Sequence, residues 1–231
     1  MKIQLLSLCL CLSLFVLSCE KEDSQPTPPD FDYDFTMDTE GWTADFADYP
    51  TDEGTRFELT YQYDSLPMPL DANDGALMLS GANLSDDLFM YIKRKVEGLS
   101  PNTRYELQFE VEIATDAPDG SVGIGGSPAN SVYIKAGATS IEPVPIIDND
   151  DYYRMNIDKG NQSQDGKDML VIDDFGHEGE DFVYQLKTIS NQKTISVQTD
   201  AEGACWIILG TDSGFEGRTT IYFNSIRVTF E

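Results

Sequence analysis

Between Tyr105 and Ile113 apolar and polar residues alternate without a break: Tyr105, Leu107, Phe109, Val111 and Ile113 fall on one side, and Glu106, Gln108, Glu110 and Glu112 on the other. Successive side chains of an extended strand point to opposite faces, so this stretch predicts a strand with one face in a core and one in water. Shorter β-rich runs recur at 56–63, 76–80, 88–96, 132–135, 153–157, 182–189, 194–199, 205–210 and 219–230, between clusters of Gly, Asn, Asp and Pro. From Phe31 onward no stretch holds apolar residues at helical spacing.

Such a series of strands, with turns and no crossover helices, predicts an all-β fold: two antiparallel sheets packed face to face as a β-sandwich. Roughly 200 residues is ample for one sandwich, and no linker-like break divides them, so 31–231 reads as a single domain. In the last run the apolar parity changes, from Ile221 and Phe223 to Ile226, Val228 and Phe230, which predicts a bulge near Asn224-Ser225.

The opening residues follow another rule. Lys2, the apolar run Ile3 to Leu17 and then Val16-Leu17-Ser18-Cys19 read as an export signal over 1–18 ending in a lipobox. The apolar stretch is short for a membrane span. Cys19 is the expected lipidation site, its thiol carrying a diacylglycerol and its amine a further acyl chain of the palmitate kind, so the protein is expected to be anchored to a membrane rather than to span it. Residues 19–30 form the expected tether: acidic Glu20-Lys21-Glu22-Asp23-Ser24, then Gln25-Pro26-Thr27-Pro28-Pro29, extended because proline fixes its own backbone and restricts its neighbour.

Charge narrows the partners. The chain carries 41 Asp and Glu against 15 Lys and Arg, a formal net charge of -26. Nucleic acid and anionic lipid headgroups are therefore poor partners; cations and neutral ligands such as glycans are compatible. Of the four cysteines, Cys9 and Cys11 lie in the signal and Cys19 is the acylated one, so Cys205 remains alone and no intramolecular disulfide is expected. It sits in the apolar run 204–209 and reads as a buried, inert thiol.

Short phrases carry two resemblances. The acidic tract after Cys19 resembles the one following the lipidated cysteine of Bacteroidetes-type surface lipoproteins, which implies the outer face of the outer membrane. Asp34-Phe35 with Glu40-Gly41-Trp42, the turn Leu99-Ser100-Pro101-Asn102-Thr103-Arg104-Tyr105, and Tyr222-Phe223-Asn224-Ser225-Ile226 resemble the opening, central and closing phrases of jelly-roll carbohydrate-binding and galactose-binding-like modules. That likeness implies a jelly roll, a glycan ligand and a structural calcium near the first and last strands, where Asp34, Asp38 and Asn224 offer oxygens. Asn224 stands where those modules usually have Asp, and Thr36 where Glu is common. Phrases such as 83–90, 125–128, 156–162 and 210–217 are similar to those of an uncharacterised group of secreted bacterial proteins, which implies that polar loops carry any site.

Candidate chemistry comes from three places. Asn161, Ser163 and Asp165, followed by Gly166, put oxygens at alternate positions as a loop wrapped on calcium does, although Ile172 occupies the position where a closing glutamate is usual; an exposed turn is the alternative. On 88–96, Phe89, Tyr91 and Lys93 share a face opposite Leu88, Met90 and Ile92, and an aromatic pair beside lysines is a platform for sugar rings. The alternative is that Phe89 and Tyr91 pack under a loop. Trp42 is a further stacking candidate, whereas the neighbours of Trp206 place it in the core. Catalysis is hard to assemble, because the single histidine, His177, lies in an acidic loop with no serine or cysteine nucleophile in evidence. The leading expectation is therefore a non-enzymatic, surface-anchored binding domain for glycan or another extracellular ligand. A carboxylate-dependent glycoside hydrolase or lyase, and a structural envelope component without ligand, are the alternatives.

Overall fold

Extended segments make up the regular structure of residues 29–231, the part that the computed structural model describes. The expected signal, Cys19 and most of the tether lie outside the described residues. Fifteen strands follow in order: β1 Phe31–Asp34, β2 Thr43–Ala47, β3 Tyr49–Pro50, β4 Thr60–Ser65, β5 Gly75–Ala82, β6 Leu88–Val96, β7 Arg104–Thr115 and β8 Val132–Thr139 come first. Then come β9 Pro145–Ile147, β10 Tyr152–Met155, β11 Met169–Asp174, β12 Gln185–Ser190, β13 Ile195–Gln198, β14 Cys205–Ser213 and β15 Arg218–Phe230. No helix occurs among the described residues.

One sheet runs β12-β7-β15-β5-β4, with β13 also on β7 and β1 on β15; the other runs β11-β8-β14-β6-β2. The antiparallel pairs are nested: β8 with β11, β7 with β12 and β13, β6 with β14, β5 with β15. Folding a chain in half and rolling it so that successive pairs alternate between two sheets gives this pattern, and it defines a jelly roll. The fold expectation therefore holds.

The inner faces meet in one apolar core. From β7 come Tyr105, Leu107, Phe109, Val111 and Ile113, from β6 Leu88, Met90 and Ile92, and from β14 Cys205, Ile207 and Leu209. On β15 the pairing with β7 shifts register between Phe223 and Ser225, so Ile221 and Phe223 before it and Ile226, Val228 and Phe230 after it all face inward. This is the bulge that the parity change predicts.

Between β12 and β13 the buried Asn191 stands in for a strand residue. Its Oδ1 accepts the Phe109 N–H at 2.6 Å and its amide donates to the Leu107 carbonyl at 3.1 Å, which keeps the β7 edge satisfied. Strand edges also depart from the sequence expectation. The 56–63 run begins as a turn, with Glu58 at φ 49°, and becomes β4 only at Thr60.

Residues 140–168, between β8 and β11, form a strap. Its β10 pairs with β9 on one side and with β3 on the other in a separate three-stranded sheet. The strap lies over the outer face of the five-stranded sheet, with Met155 and Ile157 packed on Ala47, Phe89, Tyr91, Met169 and Ile208. Both faces of this sheet are therefore buried over most of its area.

The strap presses closely. A Cβ on Gly137 would fall 2.2 Å from the Asp168 carbonyl oxygen and 2.6 Å from Met169 Cγ. Gly137→Ala is expected to destabilise the fold by about 1–3 kcal/mol in urea unfolding, the usual cost of overpacking. An unchanged midpoint would mean that strap and sheet are not in this contact.

Candidate ligand-binding site

On β14 the residues that alternate with Cys205, Ile207 and Leu209 point outward, toward the strap, and one of them is Asp212, which is 0% exposed. A carboxylate without water must be paired. Its Oδ2 meets Lys135 Nζ at 2.9 Å and accepts from Lys159 Nζ at 2.8 Å and from the Gln162 N–H at 2.9 Å. Lys135, from β8, also donates to the carbonyls of Lys159 and Gln164 at 2.8 and 3.0 Å. Lys159 Nζ lies 2.9 Å from Asp48 Oδ2, a charge contact rather than an aligned hydrogen bond. Arg154 closes the mouth, donating to Asp48 Oδ1 at 2.9 Å and reaching Asp87 at 3.4 Å and Asp148 at 3.3 Å.

Asp48, Asp87 and Asp212 each offer an oxygen within 4.8 Å of the others, a spacing that could hold a metal ion. The same carboxylates already face Lys135, Lys159 and Arg154, so three negative charges meet three positive ones. Burial lowers the basicity of Lys135. For Lys159 burial acts in the same direction, but Asp212 and Asp48 outweigh it and hold the ammonium above the ordinary lysine value. Burial, then the neighbouring Asp48 charge, pushes Asp87 up to about 6. Asp87, Lys159 and Asp212 fall within the polar phrases 83–90, 156–162 and 210–217, whereas Asp48, Lys135 and Arg154 carry no signal in the sequence. Asp48, Lys135, Lys159 and Asp212 are spread over 165 positions; the pairing of β2, β6, β14 and β8 brings Asp48, Asp212 and Lys135 together and the strap adds Lys159.

Phe89, Tyr91, Lys93 and Trp42 do not form an open platform, which corrects that expectation. Phe89 and Tyr91 stack on each other at 5.3 Å and 18°, wholly buried beneath Ile157 and Met155 of the strap. Lys93 is buried too and donates to Glu142 Oε1 and the Pro143 carbonyl, both at 2.7 Å. Trp42, 2% exposed, lies edge-on to Tyr33 and Phe35 in the inner core.

The expected calcium oxygens are engaged locally. Pairing of β1 with β15 brings Asp34 beside Asn224. However, Asp34 Oδ1 accepts from the Thr36 N–H and hydroxyl at 2.8 and 2.6 Å, Asp38 from the Glu40 N–H at 2.6 Å, and the Asn224 amide donates to the Gly75 carbonyl at 3.1 Å. In the 161–165 loop Asn161 and Ser163 are exposed. Asp165 turns to Lys193 and accepts the Val171 N–H at 2.9 Å, so its carboxylate does not converge with them.

Two further residues change place. His177 is 4% exposed, held by N–H and carbonyl bonds to Ala117 and Asp119, with Nδ1 accepting the Gly179 N–H at 3.0 Å. It is a buried residue and not a solvated loop side chain. Cys205 is buried and free as expected, its thiol pushed up to about 12 by burial. Trp206, in contrast, leaves the core: alternation with Cys205 and Ile207 turns it outward, beyond the strap's cover, and it is half-buried with Lys93 Nζ 5.6 Å from its ring. Directly across from it on β8 is Thr139, which lines a cavity of about 460 Å³ where β13 approaches the β8 edge. Arg104, Ser140, Lys167, Ser196 and Gln198 also line it.

No protein-family profile matches the chain, and no curated protein matches it in sequence. Solved structures match its shape weakly. The K1 cleaved adhesin domain of Lys-gingipain from Porphyromonas gingivalis W83 aligns at 10% identity and TM-score 0.40 over 87% of this chain and 98% of that one. The carbohydrate-binding module TmCBM27, described for specific mannan recognition, aligns at 14% identity and TM-score 0.39, over 86% of this chain and 95% of that one. TmCBM61, solved with β-1,4-galactotriose, aligns at 9% identity and TM-score 0.30, over 88% and 89%.

The charge network carries a pH signature. Because the Asp87 carboxyl sits near 6 in the folded protein and 3.8 in its ordinary state, the folded chain binds the extra proton between those values. Ionised Asp87 therefore costs stability as pH rises through 6, and the cost is absent below 3.8. Asp87→Asn is expected to raise stability by about 1–2 kcal/mol at pH 8 and to give no gain at pH 4. Equal effects at both pH values in thermal unfolding would refute the assignment.

Proposed function

We propose that the chain is a surface lipoprotein whose jelly-roll domain binds glycan without catalysing a reaction. The observation that carries this reading is Trp206, a half-buried indole on the outer face of the sheet, whose strand partner Thr139 lines a polar cavity. A sugar needs a flat apolar surface for its C–H face and nearby hydroxyl, amide or charged groups for its own hydroxyls, and Trp206 with Thr139, Ser140, Ser196 and Gln198 supplies that combination. The jelly roll, which the resemblance of 34–42, 99–105 and 222–226 to carbohydrate-binding modules implies, is in keeping with it. The three converging carboxylates favour binding over hydrolysis, since each is tied to a lysine or arginine.

A structural cation such as calcium belongs to this proposal only at Asp48, Asp87 and Asp212, where it would have to displace the Lys159 ammonium. Anchoring by acylated Cys19 on the outer membrane is the cellular part of the proposal, resting on the lipobox and the acidic tract that follows it.

Affinity electrophoresis of the full chain in gels containing soluble polysaccharides should show retardation by at least one of them. Trp206→Ala should weaken that retardation by roughly tenfold or more while leaving the melting temperature within a few degrees, as loss of an aromatic stacking contact does. A Trp206→Ala protein that binds as the parent does would remove Trp206 from the site. Cells fed labelled palmitate should label the parent and leave Cys19→Ala unlabelled; label on both would place the acyl group elsewhere.

A further inference from the structure

We infer that the glycan recognised at this site is an anionic one, carrying carboxylate or sulfate groups. The inference rests on the glycan reading above and adds the charge of the ligand.

The cations themselves give the reason. Among the described residues, Arg56, Lys93, Lys95, Lys135, Arg154, Lys159, Lys187, Lys193, Arg218 and Arg227 each form an ion pair with a carboxylate. Three cationic side chains do not: Arg94, Arg104 and Lys167. Arg94 is half-buried, its guanidinium 4.6 Å from the centre of the Tyr33 ring. Arg104 and Lys167 are exposed, and both line the single cavity beside Thr139.

In a chain with net charge -26, where acidic groups outnumber basic ones by 41 to 15, an exposed cation is surrounded by available carboxylates. That two cations are left without one, in one concavity, leaves their charge directed at whatever enters it. They come from separate parts of the fold, Arg104 from the start of β7 and Lys167 from the end of the strap. Arg104 is partly oriented already, since one terminal nitrogen donates to Ser196 Oγ at 2.8 Å. The cavity also holds one carboxylate, that of Asp168, which accepts the Asp158 N–H at 2.9 Å.

A guanidinium and an ammonium next to hydroxyl and amide side chains suit a sugar acid or sulfate: charge-assisted bonds to the anion and neutral bonds to ring hydroxyls. A nucleic acid fits worse. It carries a phosphate at every nucleotide, and beyond these two cations it would run along an acidic surface. A polysaccharide with well-spaced charges avoids that repulsion.

The test uses the full chain in affinity gels containing, in separate lanes, hyaluronan with one carboxylate per disaccharide, κ-carrageenan with one sulfate per disaccharide, neutral mannan or single-stranded DNA. Retardation by hyaluronan alone assigns a carboxylate ligand and by κ-carrageenan alone a sulfate ligand; either supports the inference, as does retardation by both. Raising the salt several-fold should weaken it by screening. Arg104→Gln and Lys167→Gln should each weaken it roughly tenfold, with Lys167→Arg close to the parent, as expected for charge-assisted contacts. Mannan binding without binding to either anionic polymer would overturn the inference and leave the glycan reading intact. Binding to none of the polysaccharides would overturn both. DNA retarded as strongly as the anionic polysaccharides would also overturn the inference, showing two cations that hold any polyanion.

Discussion

The Asp212 carboxylate, wholly enclosed, dictates much of what surrounds it. An ionised group there is tolerated only with several donors, and the donors come from two directions: Lys135 from the neighbouring strand, Lys159 and the Gln162 N–H from the strap. Holding Lys159 and Gln162 in place holds the strap against the sheet. With the strap there, Phe89 and Tyr91 become core residues, Gly137 must lack a side chain, and Trp206 on the same face stays partly exposed. Such an arrangement fixes the position of the strap more than it adds stability, because the gain from pairing buried charges is largely offset by the loss of their hydration.

How much of this was legible in the sequence depends on the range of the forces involved. Alternation over Tyr105 to Ile113 is a local signal and predicted β7 and its buried face; the parity change in the last run placed the bulge of β15. The jelly roll came from resemblance and is written in the nested pairing. Short edge strands escaped notice: β1, β2, β3 and β9 have five residues or fewer, and β11 reads as a mixed segment ending in two aspartates.

The site was read less well, for a definite physical reason. Period two separates the faces of β6 but does not tell which are covered, so Phe89 and Tyr91 looked available for a ligand until the strap, distant in sequence, closed over them. The same ambiguity worked in reverse for Trp206, whose apolar neighbours suggested burial although the end of its strand lies beyond the strap. In a chain this acidic, aspartates attracted attention everywhere; the informative ones were those matched with lysines more than forty residues away, a pairing that no local pattern encodes.

The route by which the chain enters the sandwich has an orientational consequence. β1 runs antiparallel to β15, with Phe31 opposite Val228, which in turn lies opposite Phe109 of β7. Phe31 is thus level with the middle of β7, and Arg104, where β7 begins, lies five residues, or about 17 Å at the usual strand rise, from that level. β1 and β7 are parallel in direction, each antiparallel to β15, so β1 runs away from the end of β7 that carries Arg104. The start of the described chain, rather than the end of its first strand, therefore faces the side of the sandwich on which Arg104 and Ser196 line the cavity.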